Sequence, residues 1–83
     1  MLNIKILGTG CANCKKLEYL AQRAVTALKL EAQIEKVTDP VGIMKYPILA
    51  TPGLVINEQL VSAGRVPSEA EITTWLTNAL ETA

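Results

Sequence analysis

The chain has 83 residues, with eight basic and eight acidic side chains and a hydrophobic fraction of 49%. This length predicts one domain over residues 1–83, and the lack of a basic block argues against a nucleic-acid-binding module. No apolar run approaches the roughly 20 residues of a membrane span, and the N-terminal stretch has too short an apolar core for a signal peptide. We therefore expect a cytoplasmic protein with no membrane partner, in which two closely spaced cysteines favour redox or metal chemistry.

The first part of the chain predicts a strand, a helix and a second strand. Residues 2–7 alternate apolar and polar side chains, which is the period of a β-strand. The stretch 31–39 is interpreted as the second strand, supported by Ile34 and Val37. Because a helix joins these strands, we expect them to be parallel with a right-handed crossover. That helix is predicted from about residue 12 to 29, since apolar residues recur there at helical spacing, namely Leu17, Leu20, Ala21, Ala24, Val25 and Leu28.

The middle of the chain predicts a short helix and then a β-hairpin. Asp39 is a suitable N-cap, the proline after it suits a first helical turn, and Pro47 stops the helix, so we expect it near residues 40–46. The runs GLVIN and QLVSAG are both rich in β-forming residues. Asn57 and Glu58 separate the apolar parts of these runs, which is typical of an antiparallel hairpin.

The C-terminal segment predicts a closing helix. Ser68 as N-cap and Glu71 three residues later form a capping box. An apolar stripe follows, made of Ile72, Trp75, Leu76, Ala79 and Leu80. The element order is therefore β-α-β-α-β-β-α. It predicts an α/β fold with a four-stranded mixed sheet and helices on both faces.

The two cysteines lie where the first strand gives way to the first helix. Cys11 is at or just before the first helical turn, where unpaired N–H groups and the helix dipole stabilise a thiolate. We expect its pKa to fall below the free value of about 8.5, with some help from Lys15 and Lys16. Cys14 lies one turn further on and is expected to be covered by the helix. This arrangement permits disulfide exchange, in which the Cys11 thiolate attacks a partner disulfide and Cys14 releases the reduced partner.

Metal binding is the main alternative for the same two thiols. Structural zinc needs four ligands, and the chain has two cysteines and no histidine. Two thiolates suffice for copper(I), so a copper(I)-binding or delivery module remains open. The stretch GTGCANC is similar to the loop of small heavy-metal-associated domains, but Thr9 stands where that family has Met. A third interpretation is a non-catalytic adaptor in which the cysteines are incidental.

A second motif, ATPGLVINEQLVSAG, begins about forty residues after the cysteines and places Thr51 and Pro52 before a strand. Together with GCANC, the glycine that follows the hairpin and GRVPSEAEI, it makes the chain resemble the thioredoxin-like superfamily, and most closely the small, glutaredoxin-sized redox-active disulfide proteins. The resemblance implies a thioredoxin-like fold and thiol–disulfide oxidoreductase activity through Cys11 and Cys14. It also implies a cis peptide bond between Thr51 and Pro52, which would orient a partner chain beside the cysteines.

The resemblance further implies the partners and the electron source. We expect disulfide-containing protein substrates, no cofactor beyond the dithiol, and a monomer that acts as a protein-disulfide reductase or electron carrier. A flavin-dependent reductase of the thioredoxin reductase type is expected to supply electrons, because no basic residues for the glutathione carboxylates are recognisable. One departure concerns Lys5, which stands where thioredoxins carry a buried aspartate six residues before the first cysteine. The sequence therefore identifies no side-chain base for Cys14.

Overall fold

The computed structural model describes residues 2–82, and their element order is the one that the sequence predicts. The elements are β1 (Leu2–Leu7), α1 (Ala12–Leu28), β2 (Ala32–Val37), α2 (Pro40–Ile43), β3 (Gly53–Ile56), β4 (Gln59–Ala63) and α3 (Glu69–Thr82). The two hairpin strands are each one residue shorter than the apolar runs that predicted them. The order β-α-β-α-β-β-α is confirmed.

The four strands form a mixed sheet in the order β2-β1-β3-β4. Strands β1 and β2 are parallel and in register from Leu2 opposite Ala32 to Leu7 opposite Val37, whereas β3 runs antiparallel to both β1 and β4. The turn between β3 and β4 places Asn57 at φ 49° and Glu58 at φ 69°. Two successive left-handed residues match the twist of the flanking strands, which is why such turns close tight hairpins. Parallel and antiparallel pairings are thus both as predicted.

Two hydrophobic clusters lie on opposite faces of the sheet. The larger one packs the sheet against α1 and α3, and its fully buried members include Ile4, Leu54, Leu17, Ala21, Ile72 and Leu76. The smaller cluster lies under α2 and the loop after it, and consists of Leu7, Ile43 and Val55 with partly buried neighbours. β1 contributes to both clusters because successive side chains of a strand point to opposite faces. The helices therefore cover both faces, as expected.

Helix α2 is shorter than the predicted 40–46. Asp39 caps it by accepting the Gly42 N–H at 3.2 Å, but the α-helix ends at Ile43. The Met44 N–H still donates to Pro40 O, four residues back, at 3.0 Å. The two N–H groups after it donate to carbonyls three residues back, Lys45 to Gly42 at 3.3 Å and Tyr46 to Ile43 at 3.2 Å. This is the tighter 3₁₀ pattern that often ends a helix.

Helix α3 begins with the predicted capping box, but one residue of its predicted apolar stripe lies outside the core. Ser68 Oγ accepts the Glu71 N–H at 3.1 Å, and Glu71 Oε1 accepts the Ser68 N–H at 3.2 Å. The placement of Leu80 on the buried stripe was wrong, since it is 46% exposed. At about 100° per residue, Leu80 lies about 80° around the helix from Ile72, at the margin of the buried face.

Candidate active site

Cys11 is the N-cap of α1. Its backbone is extended at φ −68° and ψ 168°, and its Sγ accepts the Cys14 N–H at 3.1 Å. Its carbonyl accepts the Lys15 N–H at 3.0 Å, the first hydrogen bond of the helix. Gly10 precedes it at φ +91°, a left-handed conformation that favours glycine. The sulfur thus takes the place of the side-chain oxygen that caps most helices.

Cys11 and Cys14 differ sharply in exposure. The two sulfurs are bonded to each other, with the Cα atoms 5.0 Å apart. Cys11 is exposed, whereas Cys14 is 5% exposed and faces inward from the first turn. The expectation that the helix covers Cys14 is confirmed. A large partner can therefore reach the outer sulfur but not the inner one.

The electrostatic surroundings of Cys11 favour a negative charge on its sulfur. The first turn of α1, which the structure describes in full, contains no acidic residue. Lys15 and Lys16 follow there and are exposed. Unpaired N–H groups at a helix N-terminus carry partial positive charge. When the disulfide is reduced, this environment would stabilise a thiolate at Cys11.

Thr51 and Pro52 lie beside the disulfide loop, and the peptide bond between them is cis, as the resemblance implies. Pro52 is buried and its carbonyl accepts the Gly64 N–H at 2.9 Å, whereas Thr51 is exposed. Gly8 lies between the two motifs: a Cβ on Gly8 would be 3.9 Å from Thr51 Cβ and would also meet Cys14 Sγ. All four predicted site residues are thus gathered at one end of the sheet, where β1 ends and β3 begins.

Lys5 does not approach the cysteines. Its ammonium donates to Tyr46 Oη at 3.0 Å and to Glu58 Oε1 at 2.7 Å, and Tyr46 donates in turn to Glu58 Oε2 at 3.1 Å. The hydrogen bonds that Lys5 donates, first to Glu58 and then to Tyr46, raise the pKa of Lys5, and the hydrogen bond from Lys5 holds the pKa of Glu58 below its ordinary value. Lys5 therefore belongs to a polar cluster with Tyr46 and Glu58.

Sequence reasoning missed a small cavity beside Cys14. The cavity has a volume of about 80 Å³, and its lining includes Glu18 from α1 and Lys36 from β2. Their side chains form an ion pair, with Lys36 Nζ 3.6 Å from Glu18 Oε2. The spacing of four residues between Cys14 and Glu18 is a signal in the sequence, because residues four apart share one face of a helix. No local signal could place Lys36 there, since its position follows from the pairing of β2 with β1.

Comparisons with known proteins agree with this geometry. The family profile described as Thioredoxin domain matches residues 2–77. The chain is 43% identical over 72 residues to a thioredoxin of Methanothermobacter thermautotrophicus, covering 87% of this chain and 94% of that protein. It is 37% identical over 81 residues to a thioredoxin of Methanocaldococcus jannaschii, covering 98% and 93%. The chain belongs to the thioredoxin family.

A solved structure supports the same thioredoxin fold. The germline-specific thioredoxin Deadhead of Drosophila melanogaster superposes with a TM-score of 0.67 at 14% identity, over 93% of this chain and 79% of that one. At this identity the match concerns the fold alone. The thioredoxin-like fold that the sequence predicts is therefore confirmed.

Family membership and the Cys11–Cys14 disulfide make this thioredoxin relative a thiol–disulfide oxidoreductase. The copper(I) alternative is not favoured, since the matched relatives are thioredoxins. In residues 2–82, no group of three or more His, Cys, Asp or Glu side chains is arranged to hold a metal ion. No helix in the same range is long and apolar enough to cross a membrane.

Proposed function

We propose that this chain reduces disulfide bonds in other proteins, with Cys11 as the nucleophile and Cys14 as the resolving thiol. The observation that carries the proposal is the pairing of an exposed sulfur at a helix N-terminus with a buried sulfur one turn behind it. The predicted domain of residues 1–83 is the acting unit, and it works as a monomer in the cytoplasm without a cofactor.

The proposed reduction proceeds in two exchange steps. The Cys11 thiolate attacks one sulfur of the partner disulfide, so that a Cys11–partner bond forms and the other partner sulfur leaves as a thiolate. The Cys14 thiolate then attacks Cys11 Sγ, which forms the Cys11–Cys14 bond and breaks the bond to the partner. Two electrons pass to the partner, whose two sulfurs take up protons and leave as thiols.

Thr51 and Pro52 are proposed to position the partner chain. Pro52 is buried and held by Gly64, so the loop presents the exposed Thr51 beside the disulfide. A partner segment in extended conformation could pair with the backbone N–H and C=O of Thr51, as an added strand pairs with a sheet edge. Such pairing would align the partner disulfide with Cys11 Sγ.

The electron donor is proposed to be a flavoenzyme of the thioredoxin reductase type. The charged residues that line the cavity beside the inner sulfur are of both signs, namely Lys15, Glu18 and Lys36. This mixed set does not form the cluster of basic residues that two glutathione carboxylates would need. A dithiol reduced in this way would have a potential toward the negative end of the range of roughly −270 to −120 mV.

Insulin reduction by single-cysteine variants tests the proposal. With dithiothreitol as the electron source, we expect Cys11→Ser to lose the activity of the wild type. Cys14→Ser should accumulate a mixed disulfide on Cys11 that mass spectrometry detects, because nothing in the variant resolves it. Insulin reduction by Cys11→Ser at the wild-type rate would instead favour the adaptor interpretation, in which the cysteines are incidental.

The electron donor is tested by supplying either NADPH with a thioredoxin reductase or glutathione with glutathione reductase. We expect turnover with the first system and at most slow turnover with the second. Efficient turnover with glutathione alone would overturn the proposed donor while leaving the roles of the cysteines intact.

A further inference from the structure

Cys14 has to lose a proton before it can act, and its burial makes that difficult. The thiolate, and not the thiol, is the nucleophile in disulfide exchange. Cys14 is 5% exposed, so bulk water has little access to its proton. Burial also disfavours the charged form of a thiol. A nearby group that accepts the proton would therefore accelerate the resolving step.

The small cavity beside Cys14 provides a path for that proton. Its lining is apolar at Ile6, whereas Glu18, Lys36 and Thr38 contribute polar groups. A volume of about 80 Å³, taken as the space open to the centre of a water molecule, exceeds the roughly 10 to 15 Å³ that one water molecule needs by that measure. The cavity thus has room for water that bridges the sulfur and a polar side chain.

Glu18 is the group on this wall that can accept a proton. It lies four residues after Cys14 on α1, so both side chains project from the same face of the helix. Its side chain is 36% exposed, and its Oε2 lies 3.6 Å from Lys36 Nζ. Among residues 2–82, Glu18 is the one carboxylate that lines the cavity.

We infer that Glu18 accepts the proton of Cys14, across this cavity, during the resolving step. The inference rests on the proposed role of Cys14 as the resolving thiol. The proton moves from Cys14 Sγ to the Glu18 carboxylate, the Cys14 thiolate attacks Cys11 Sγ, and the bond between Cys11 and the partner breaks. The partner sulfur leaves with the electron pair and is protonated by solvent or by the Glu18 carboxylic acid.

The other charged groups around Cys14 are cations that assist the same step. Lys15 faces the cavity from α1 and Lys36 faces it from β2, while β1 contributes Ile6 and the loop after β1 contributes Gly8 and Gly10, none of which carries a charge. Both ammonium groups favour a thiolate at Cys14, and neither accepts a proton while it is charged. Glu18 is therefore the side chain whose removal should change the pH dependence of the resolving step.

The test separates the two exchange steps by rapid mixing of the reduced protein with dithiobis-nitrobenzoate, a chromogenic disulfide. Attack by Cys11 gives a first phase whose rate rises with reagent concentration. Attack by Cys14 on the resulting mixed disulfide gives a second phase, whose rate does not depend on the reagent concentration. Both phases are followed between about pH 5 and pH 10 in the wild type, Glu18→Gln and Glu31→Gln. Glu31→Gln is the matched control, because it makes the same change in charge at an exposed site before the start of β2, at the opposite end of the sheet.

We expect Glu18→Gln to slow the second phase about a hundredfold at pH 7, the lower end of what a general base contributes. The difference should shrink at high pH, where hydroxide removes the proton, while the first phase stays within about twofold of the wild type. Glu31→Gln should match the wild type in both phases. A second phase with the wild-type rate and pH profile in Glu18→Gln, or an equal slowing in Glu31→Gln, would overturn the inference.

Cys14→Ser distinguishes this inference from the function on which it rests. We expect this variant to lose the second phase. If the second phase survives in Cys14→Ser, Cys14 is not the resolving thiol, and the proposed mechanism falls together with the role of Glu18. If Cys14→Ser loses the phase but Glu18→Gln keeps it, only the role of Glu18 is wrong.

Discussion

The Cys14 backbone N–H donates a hydrogen bond of 3.1 Å to Cys11 Sγ, so the outer cysteine caps the helix that carries the inner one. The same contact directs one of the N–H groups that would otherwise be unpaired in the first turn of α1 at the outer sulfur. A negative charge on Cys11 is thereby stabilised without a neighbouring base. Cys14 lies on the buried side of this turn and needs a different arrangement for its proton. The two sulfurs thus differ because of where the helix begins.

Gly8→Ala should make the disulfide easier to reduce. A Cβ on Gly8 would meet Cys14 Sγ, and in the oxidised protein this sulfur is tied to Cys11 and cannot rotate away. Overpacking typically costs about 1 to 3 kcal/mol. If this cost falls mainly on the oxidised form, the potential rises by roughly 20 to 60 mV. Equilibration with dithiothreitol buffers measures the shift.

The matched control for this change is Gly42→Ala. A Cβ on Gly42 would lie 2.9 Å from Val37 Cγ1, a less severe crowding that does not involve the disulfide. It should lower the stability of both redox forms alike and leave the potential unchanged. Equal shifts of the reduction potential in the two variants would show that the shift in Gly8→Ala does not come from the contact with Cys14 Sγ.

Glu71→Gln should change how stability depends on pH. The guanidinium of Arg65, with the backbone N–H of Ser68, lowers the pKa of Glu71 from its ordinary value of 4.5 to about 2. Because the folded state binds this proton less readily than the unfolded state, the stabilisation is present above about pH 4.5 and is lost as pH falls toward 2. Urea midpoints of the wild type should therefore exceed those of Glu71→Gln near neutral pH and converge with them in acid.

Glu81→Gln controls for net charge in that experiment. Glu81 is exposed near the other end of α3, so Glu81→Gln makes the same change in net charge away from the Arg65–Glu71 pair and should not reproduce the loss of stability near neutral pH. A wild-type advantage over Glu71→Gln that persists unchanged to pH 2 would contradict the role of the Arg65–Glu71 pair.

Leu76→Ala and Leu80→Ala should differ strongly in stability although they lie on one helix. Leu76 is fully buried in the larger cluster, and Leu80 is 46% exposed. Truncating a buried leucine to alanine lowers the free energy of unfolding by about 2 to 5 kcal/mol, because less apolar surface is buried and a cavity remains. An exposed substitution usually changes stability by no more than about 0.5 kcal/mol. Urea unfolding of the two variants measures the difference, and similar losses would mean that Leu80 is buried as the sequence pattern predicted.

The elements of the fold were predictable because local chemistry specifies them. Alternating apolar residues mark β1, and the spacing of Ser68 and Glu71 marks the start of α3 before any tertiary contact is considered. Leu80 was misplaced because an apolar residue at the margin of a stripe is buried only if a neighbouring element reaches it. The length of α2 was overestimated for a similar reason, since Pro47 limits where the helix can end but does not require it to extend that far.

The site was predictable in part. The C-x-x-C spacing at the strand-to-helix junction identified Cys11 and Cys14, whereas the cis bond before Pro52 was expected only through the family resemblance. The surroundings of Cys14 were not predictable, because Lys36 reaches its cavity through the pairing of two strands. The spacing of four residues on α1 places Glu18 near Cys14, but only the packed structure shows that both line one cavity.

The measurement that tests the central claim most directly is the alkylation rate of each cysteine in the reduced protein as a function of pH. Iodoacetamide labelling followed by mass spectrometry of the separate peptides resolves the two sulfurs. We expect Cys11 to react first and with a midpoint well below the free-cysteine value of about 8.5, while Cys14 reacts slowly throughout. Two cysteines that label at similar rates, both with the midpoint of an ordinary thiol, would contradict the account.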